Sequence, residues 1–125
     1  MARSQLKSNR KPSGGRYTSA RSKKKSELAG FSANTKIAKD VKIKSKRVLG
    51  GNKKSVTLAT NQINVTDKKG KTQKTEIVTV LENPANPHLV GRNILTKGAI
   101  VETKLGKAKV TSRPGQEGTV NGKLL

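Results

Sequence analysis

The chain has 125 residues, no cysteine and a formal net charge of +21. That length suits one folded domain, and the missing thiols exclude both a disulfide framework and a thiolate metal site. So much positive charge repels itself and opposes compaction unless a polyanion neutralises it. An anionic membrane is the poorer candidate partner. No apolar run reaches about 18 residues, no basic helical face is backed by a bulky apolar one, and no secretory leader pattern opens the sequence. The expected compartment is the cytoplasm, where Asn64-Val65-Thr66 reads as a chance glycosylation sequon.

Taken in chain order, residues 1–38 are expected to form a basic extension, disordered when free, and residues 39–125 a folded domain. Only Leu6, Leu28 and Ile37 supply Val, Ile or Leu before residue 41, against twenty-three such residues from residue 41 onward. Only the second stretch can therefore bury enough apolar surface to offset its ordering entropy. Within the extension, residues 10–25 read RKPSGGRYTSARSKKK, rich in Arg and Lys and free of acids. Pro12-Ser13-Gly14-Gly15 interrupts the charge. Pro12 stiffens the approach, and Gly14-Gly15 allow a sharp bend with close contact between backbone and phosphate.

Beyond residue 40 the apolar period is two, the pattern of strands. Val41 and Ile43 alternate with lysines, then Val56 with Leu58 and Ile63 with Val65. Further strands are expected at Lys74–Leu81, Leu89–Leu95, Ala99–Thr103, Lys107–Ser112 and Thr119–Leu125, rich in Val and Ile that suit a pleated surface. Turn residues punctuate them at Gly50-Gly51-Asn52, Asp67–Gly70, Leu105-Gly106 and Pro114-Gly115, the last expected to form a type II turn. Asn83-Pro84-Ala85-Asn86-Pro87 reads as a loop. The predicted fold is all-β, a small antiparallel β-barrel of six to eight short strands, since an open sheet of this size would leave two exposed edges.

The inventory for catalysis is poor. His88 follows a proline in a polar loop, and the seven carboxylates show no spacing that suggests a general acid/base pair. Ligand sets for a metal are missing too, so no cofactor, metal or small-molecule substrate is expected. Gly50-Gly51-Asn52-Lys53-Lys54-Ser55 lacks the Gly-Lys-Ser/Thr end of a nucleotide-binding loop, and a strand pattern follows where a helix should begin. It fits a hairpin whose glycines let backbone N–H groups approach phosphate oxygens while Lys53 and Lys54 supply charge.

Charge is concentrated toward the N-terminus: residues 1–54 carry a net +15 and residues 55–125 a net +6. On the first strand Lys42, Lys44 and Lys46 share a face at intervals of roughly 6.5–7 Å, a spacing that can follow a phosphate backbone. With Tyr17 and Phe31 as the sole aromatics, a platform of stacked bases is not expected, and recognition is expected through phosphates, sugars and shape with little base reading. If ~8–10 phosphates are neutralised, the log–log salt slope is expected at about −6 to −9. The candidate RNA-binding residues are Arg3, Lys7, Arg10, Lys11, Gly14, Gly15, Arg16, Tyr17, Arg21, Lys23, Lys24 and Lys25 in the extension. In the domain they are Lys42, Lys44, Lys46, Arg47, Asn52, Lys53, Lys54, Arg92, Lys97 and Arg113.

Five blocks, in order, support a resemblance over the whole length. They are Arg10–Arg16 (RKPSGGR), Ala33–Ile37 (ANTKI), Gly50–Lys54 (GGNKK), Glu82–Pro87 (ENPANP) continuing through Arg92–Thr103 (RNILTKGAIVET), and Val110–Gly118 (VTSRPGQEG). With these the chain resembles the archaeal and eukaryotic small-subunit ribosomal protein S8e family, in its short archaeal form. The resemblance implies a cytoplasmic constituent of the small ribosomal subunit, with a β-barrel and a basic extension bound to ribosomal RNA beside neighbouring ribosomal proteins, and no catalytic site. Two other classes stay open on composition. A ribosome assembly factor binding precursor ribosomal RNA would be substoichiometric with the subunit, and a chromatin-type DNA-binding protein would bind duplex DNA as well as folded RNA.

Overall fold

The computed structural model describes residues 8–18, 21, 22, 24, 28 and 30–125. Residues 1–32 and 33–125 form two separate units. The division lies earlier than the change in composition near residue 38, because the segment after Ser32 is fastened to the second unit. Leu95 N–H donates to the Thr35 carbonyl at 2.8 Å, Lys36 N–H to Leu58 at 3.0 Å, and Ile37 N–H to Asn93 at 3.1 Å.

Seven strands form in the second unit: β1 (Lys42–Arg47), β2 (Lys53–Ala59), β3 (Gln62–Thr66), β4 (Thr72–Glu82), β5 (Ile100–Thr103), β6 (Gly106–Val110) and β7 (Asn121–Leu124). β1 and β2 make a two-stranded antiparallel ribbon, while β3 to β7 close a barrel in sequence order. Every neighbouring pair is antiparallel except the last: β3 and β7 close the barrel in parallel. Topology requires this. Five strands that reverse direction at each step end with the first and fifth pointing the same way, so an odd meander closes on a parallel pair.

The long β4 makes the curl. Its first half, Thr72–Glu76, pairs with β3, and its second half pairs with β5 after a shift at Val78 and again before Glu82. Each extra residue bends the strand and increases its twist, which closure of so small a barrel demands. Inside lie Ile63, Val65, Ile77, Val80, Val101, Ala108 and Val110 from the strands, with Leu95, Ala99 and Val120 from the connections. On the outer wall the Lys104 ammonium lies 2.6 Å from Glu76. Its hydrogen bond and charge hold the Glu76 carboxyl below its usual value; both side chains are exposed, so the pair adds little to stability.

Two expectations fail locally. Leu89–Leu95 is not a strand: a 3-10 turn spans Pro87–Leu89, and further turns lead to Ile94. The Asn86 side chain accepts from His88 N–H at 3.0 Å, and the Leu89 carbonyl accepts from both Arg92 and Ile94 N–H. Asn93 then turns the chain at φ 50°. Local Asx chemistry and the fixed φ of Pro87 override the alternating pattern. At Pro114-Gly115 the type II turn is also absent, because Gly115 does not take the positive φ that type requires. Instead the Arg113 carbonyl accepts from Gln116 and Glu117 N–H at 2.8 and 3.0 Å, winding one helical turn. A Cβ on Gly115 would stand 3.4 Å from Ala33 Cβ, at ordinary contact distance.

The ribbon is anchored to the barrel loops by buried polar groups. Thr35, 2% exposed, donates its hydroxyl to the Thr57 carbonyl at 2.6 Å, and Thr57 N–H donates to the Pro114 carbonyl at 3.0 Å. Thr35→Val keeps the shape but leaves a buried acceptor without its donor. The expected loss is about 2 kcal/mol, read as a fall of about 10 °C in the thermal midpoint; an unchanged midpoint would contradict this anchoring role.

Candidate nucleic-acid interface

Within the first unit, the quoted stretch makes a small hairpin. Lys11 N–H donates to the Gly15 carbonyl at 2.7 Å and Gly14 N–H to the Lys11 carbonyl at 3.0 Å, enclosing Pro12-Ser13-Gly14. This is a three-residue hairpin loop with its last residue in the left-handed region, and Gly14 supplies φ 84°. Gly15 has no positive φ, so the two glycines differ in kind. Arg10 pairs across the hairpin with Arg16, which sets two like charges opposite each other. Arg10 Nη1 donates to the Gly14 carbonyl at 3.0 Å, and Lys11 Nζ lies 5.5 Å from the Tyr17 ring centroid. Arg21 and Lys24 are exposed. Arg3, Lys7, Lys23 and Lys25 lie outside the described residues.

The ribbon carries the densest cationic group. Its tip holds Gly50 and Gly51 at φ 72° and 76°, with Val48 N–H closing onto the Asn52 carbonyl at 2.8 Å. The Asn52 amide donates to the Leu49 carbonyl at 3.3 Å, so it braces the turn. Below the tip the register sets Arg47 opposite Lys53 and Lys46 opposite Lys54. Like charges directly opposite destabilise a sheet, and here two such pairs are adjacent, one on each face. Lys54 has a neutral partner, the Gln116 side chain at 2.6 Å. Lys42, Lys44, Lys46, Arg47 and Lys53 have no anionic partner among the described residues. β1 pairs with β2 in regular register from Ile43 to Arg47, so Lys44 and Lys46 occupy one side of it, while the register shifts between Lys42 and Ile43.

Of the remaining expected residues, Arg92 stands exposed in the turn after Leu89. Lys97 and Arg113 line one surface cleft, together with Gln116, which brings Lys54 to the same rim. Sequence reasoning missed a further cationic pair. Lys109 of β6 faces Lys123 of β7, both exposed. Strand alternation marks each as outward-facing, but only the register brings them together.

Comparison with known proteins places the chain in a family. Residues 4–125 match the family described as Ribosomal protein S8e. The chain is 52% identical over 122 residues to the small ribosomal subunit protein eS8 of Methanococcus aeolicus, covering 97% of this chain and 95% of that one. It is 50% identical over 126 residues to the protein of the same name from Methanobrevibacter smithii, covering all of both chains. It is also 50% identical over 122 residues to that of Methanocorpusculum labreanum, with 97% of each covered. These relatives are ribosomal proteins, not enzymes. With identity at this level over nearly the whole length, the chain belongs to the ribosomal protein S8e family.

Proposed function

We propose that the chain binds small-subunit ribosomal RNA, as a constituent of the cytoplasmic ribosome, through phosphates and shape and with little reading of bases. The observation that carries this is the double cationic pairing of the ribbon, Lys46 opposite Lys54 and Arg47 opposite Lys53. In a free protein that arrangement is repulsive. A phosphate backbone lying along the ribbon converts it into attraction and releases counterions. Lysine dominates the basic residues and contacts phosphate as a point charge, without the fork of arginine, which suits following a backbone more than reading base edges. Neighbouring ribosomal proteins would share the same RNA. The basic arm, with its hairpin at residues 10–16, would reach RNA grooves closed to a folded barrel.

The arm offers a test that leaves the barrel intact. A Cβ on Gly14 would touch nothing within 4 Å, so Gly14→Val acts through φ 84° alone. The strain, about 1–3 kcal/mol, opens the hairpin. Incorporation into reconstituted small subunits is expected to fall several-fold while net charge and barrel melting stay constant. Gly15→Ala, at an ordinary φ, is expected to incorporate normally. Normal incorporation of Gly14→Val would reduce the stretch to a charged tail.

A further inference from the structure

We infer that the cleft between Ala33–Thr35, Ile94–Lys97 and Arg113–Gln116 holds one unstacked nucleotide of the bound RNA, with its base in the cleft and its phosphates on Lys97 and Arg113. The inference rests on the ribosomal-RNA reading above and adds a single site of base contact to an otherwise phosphate-directed surface. The cleft encloses about 220 Å³, below the roughly 300–1,000 Å³ of sites that take whole small molecules. It suits one ring system rather than a complete nucleotide. Its floor is apolar: Ile94 and Leu95 are 1% and 3% exposed, and Pro114 is buried. No aromatic residue lines it, so a base would rest on aliphatic surface and the Arg113 guanidinium plane.

Three features point to a ligand. First, the walls are preorganised although none is a regular element. Leu95 N–H to Thr35 ties the first two walls together at 2.8 Å, and Thr57 N–H to Pro114 and Gln116 N–H to Arg113 hold the third at 3.0 and 2.8 Å. Thr96 adds a bond from its hydroxyl to the Asn83 side chain at 3.0 Å. Second, the rim has unspent polar capacity. The Lys97 and Arg113 side chains are exposed and make no ion pair or hydrogen bond among the described residues. Third, Asn34 stands on the rim at φ 45°, a state uncommon outside glycine, and no side-chain bond of its own holds it there. A side-chain amide offers both a donor and an acceptor, the pair a base edge requires.

The test is a nuclear magnetic resonance titration of the full free chain with a short single-stranded oligoribonucleotide of mixed sequence. An RNA duplex, ribose 5-phosphate and poly-glutamate, each at matched charge, serve as comparisons. The amides of Asn34, Lys97 and Gln116 are expected to shift saturably with the single strand alone. The double variant Lys97→Gln/Arg113→Gln is expected to weaken that titration about tenfold while the shifts at Lys53 remain. Equal shifts with duplex or ribose 5-phosphate would reduce the cleft to a phosphate contact and overturn the inference. Equal shifts with poly-glutamate would assign it to an acidic protein segment and overturn it as well. A silent cleft beside a responsive ribbon and arm overturns it but leaves RNA binding standing. Silence everywhere contradicts the RNA reading too.

Discussion

The triple variant Lys46→Gln/Arg47→Gln/Lys53→Gln is expected to flatten the salt dependence of RNA binding while leaving the free protein as stable as before, or more so. Each phosphate contact contributes about 0.7–0.9 to the magnitude of the log–log slope, so three lost contacts lower it by about 2–3. Stability should not fall, because these side chains have no anionic partner to lose. Instead they face like charges across the ribbon, Arg47 against Lys53 and Lys46 against Lys54. Lys54 is left in place so that its bond to Gln116 survives. Binding measured across a salt series, with thermal melts of the free proteins, separates the two effects. An unchanged slope would move the interface off the ribbon. A lower midpoint would mean that these cations stabilise the fold, contrary to the repulsion assigned to them.

The largest expected loss of stability comes from a single methyl group. Gly122 sits where the barrel closes, opposite Val65 in parallel β3 and Val110 in antiparallel β6. A Cβ there would lie 2.9 Å from Ile63 Cδ1 and 3.1 Å from the Lys109 carbonyl oxygen. Neither neighbour can retreat: Ile63 is 1% exposed within the core, and the Lys109 oxygen belongs to the sheet backbone. The φ of Gly122 is not positive, so Gly122→Ala is a packing change and not a conformational one. Overpacking of this kind costs about 2–3 kcal/mol, and the thermal midpoint should fall by about 10–20 °C. Gly91→Ala is the control, with no positive φ and nothing within 4 Å of the added carbon, and should melt with the parent chain. If both variants melt alike, β7 does not close the barrel as described.

These two sites differ in how far they can be read from sequence. Alternation identifies Lys46 as a strand residue, and the glycine turn that follows places Lys53 in the same hairpin, because period two and turn chemistry are local properties. That Arg47 faces Lys53 follows once the hairpin is placed. Gly122 is different. Nothing in Asn121-Gly122-Lys123 announces a close approach, since Ile63 and Lys109 reach it only after five strands have closed. The parallel β3–β7 pair is non-local in the same way. Leu89–Leu95 misleads for the opposite reason: its apolar alternation is real, but Asn86, Pro87 and Asn93 set the backbone locally and prevail. The cleft is least legible, because Asn34, Lys97 and Arg113 come from three irregular segments joined by backbone bonds. Those segments nonetheless fall within blocks that carry the family resemblance.

The central claim is that this chain is a stoichiometric, RNA-bound constituent of the small subunit, with the ribbon on phosphate. Ultraviolet cross-linking of native small subunits isolated at physiological salt, with the cross-linked residues identified on this chain, tests it most directly. One copy per subunit, cross-linked to ribosomal RNA at the 46–54 ribbon and at residues 10–17, is the predicted result. A chain that sediments free of the subunit, or one present in each subunit but cross-linked only to protein, would contradict it.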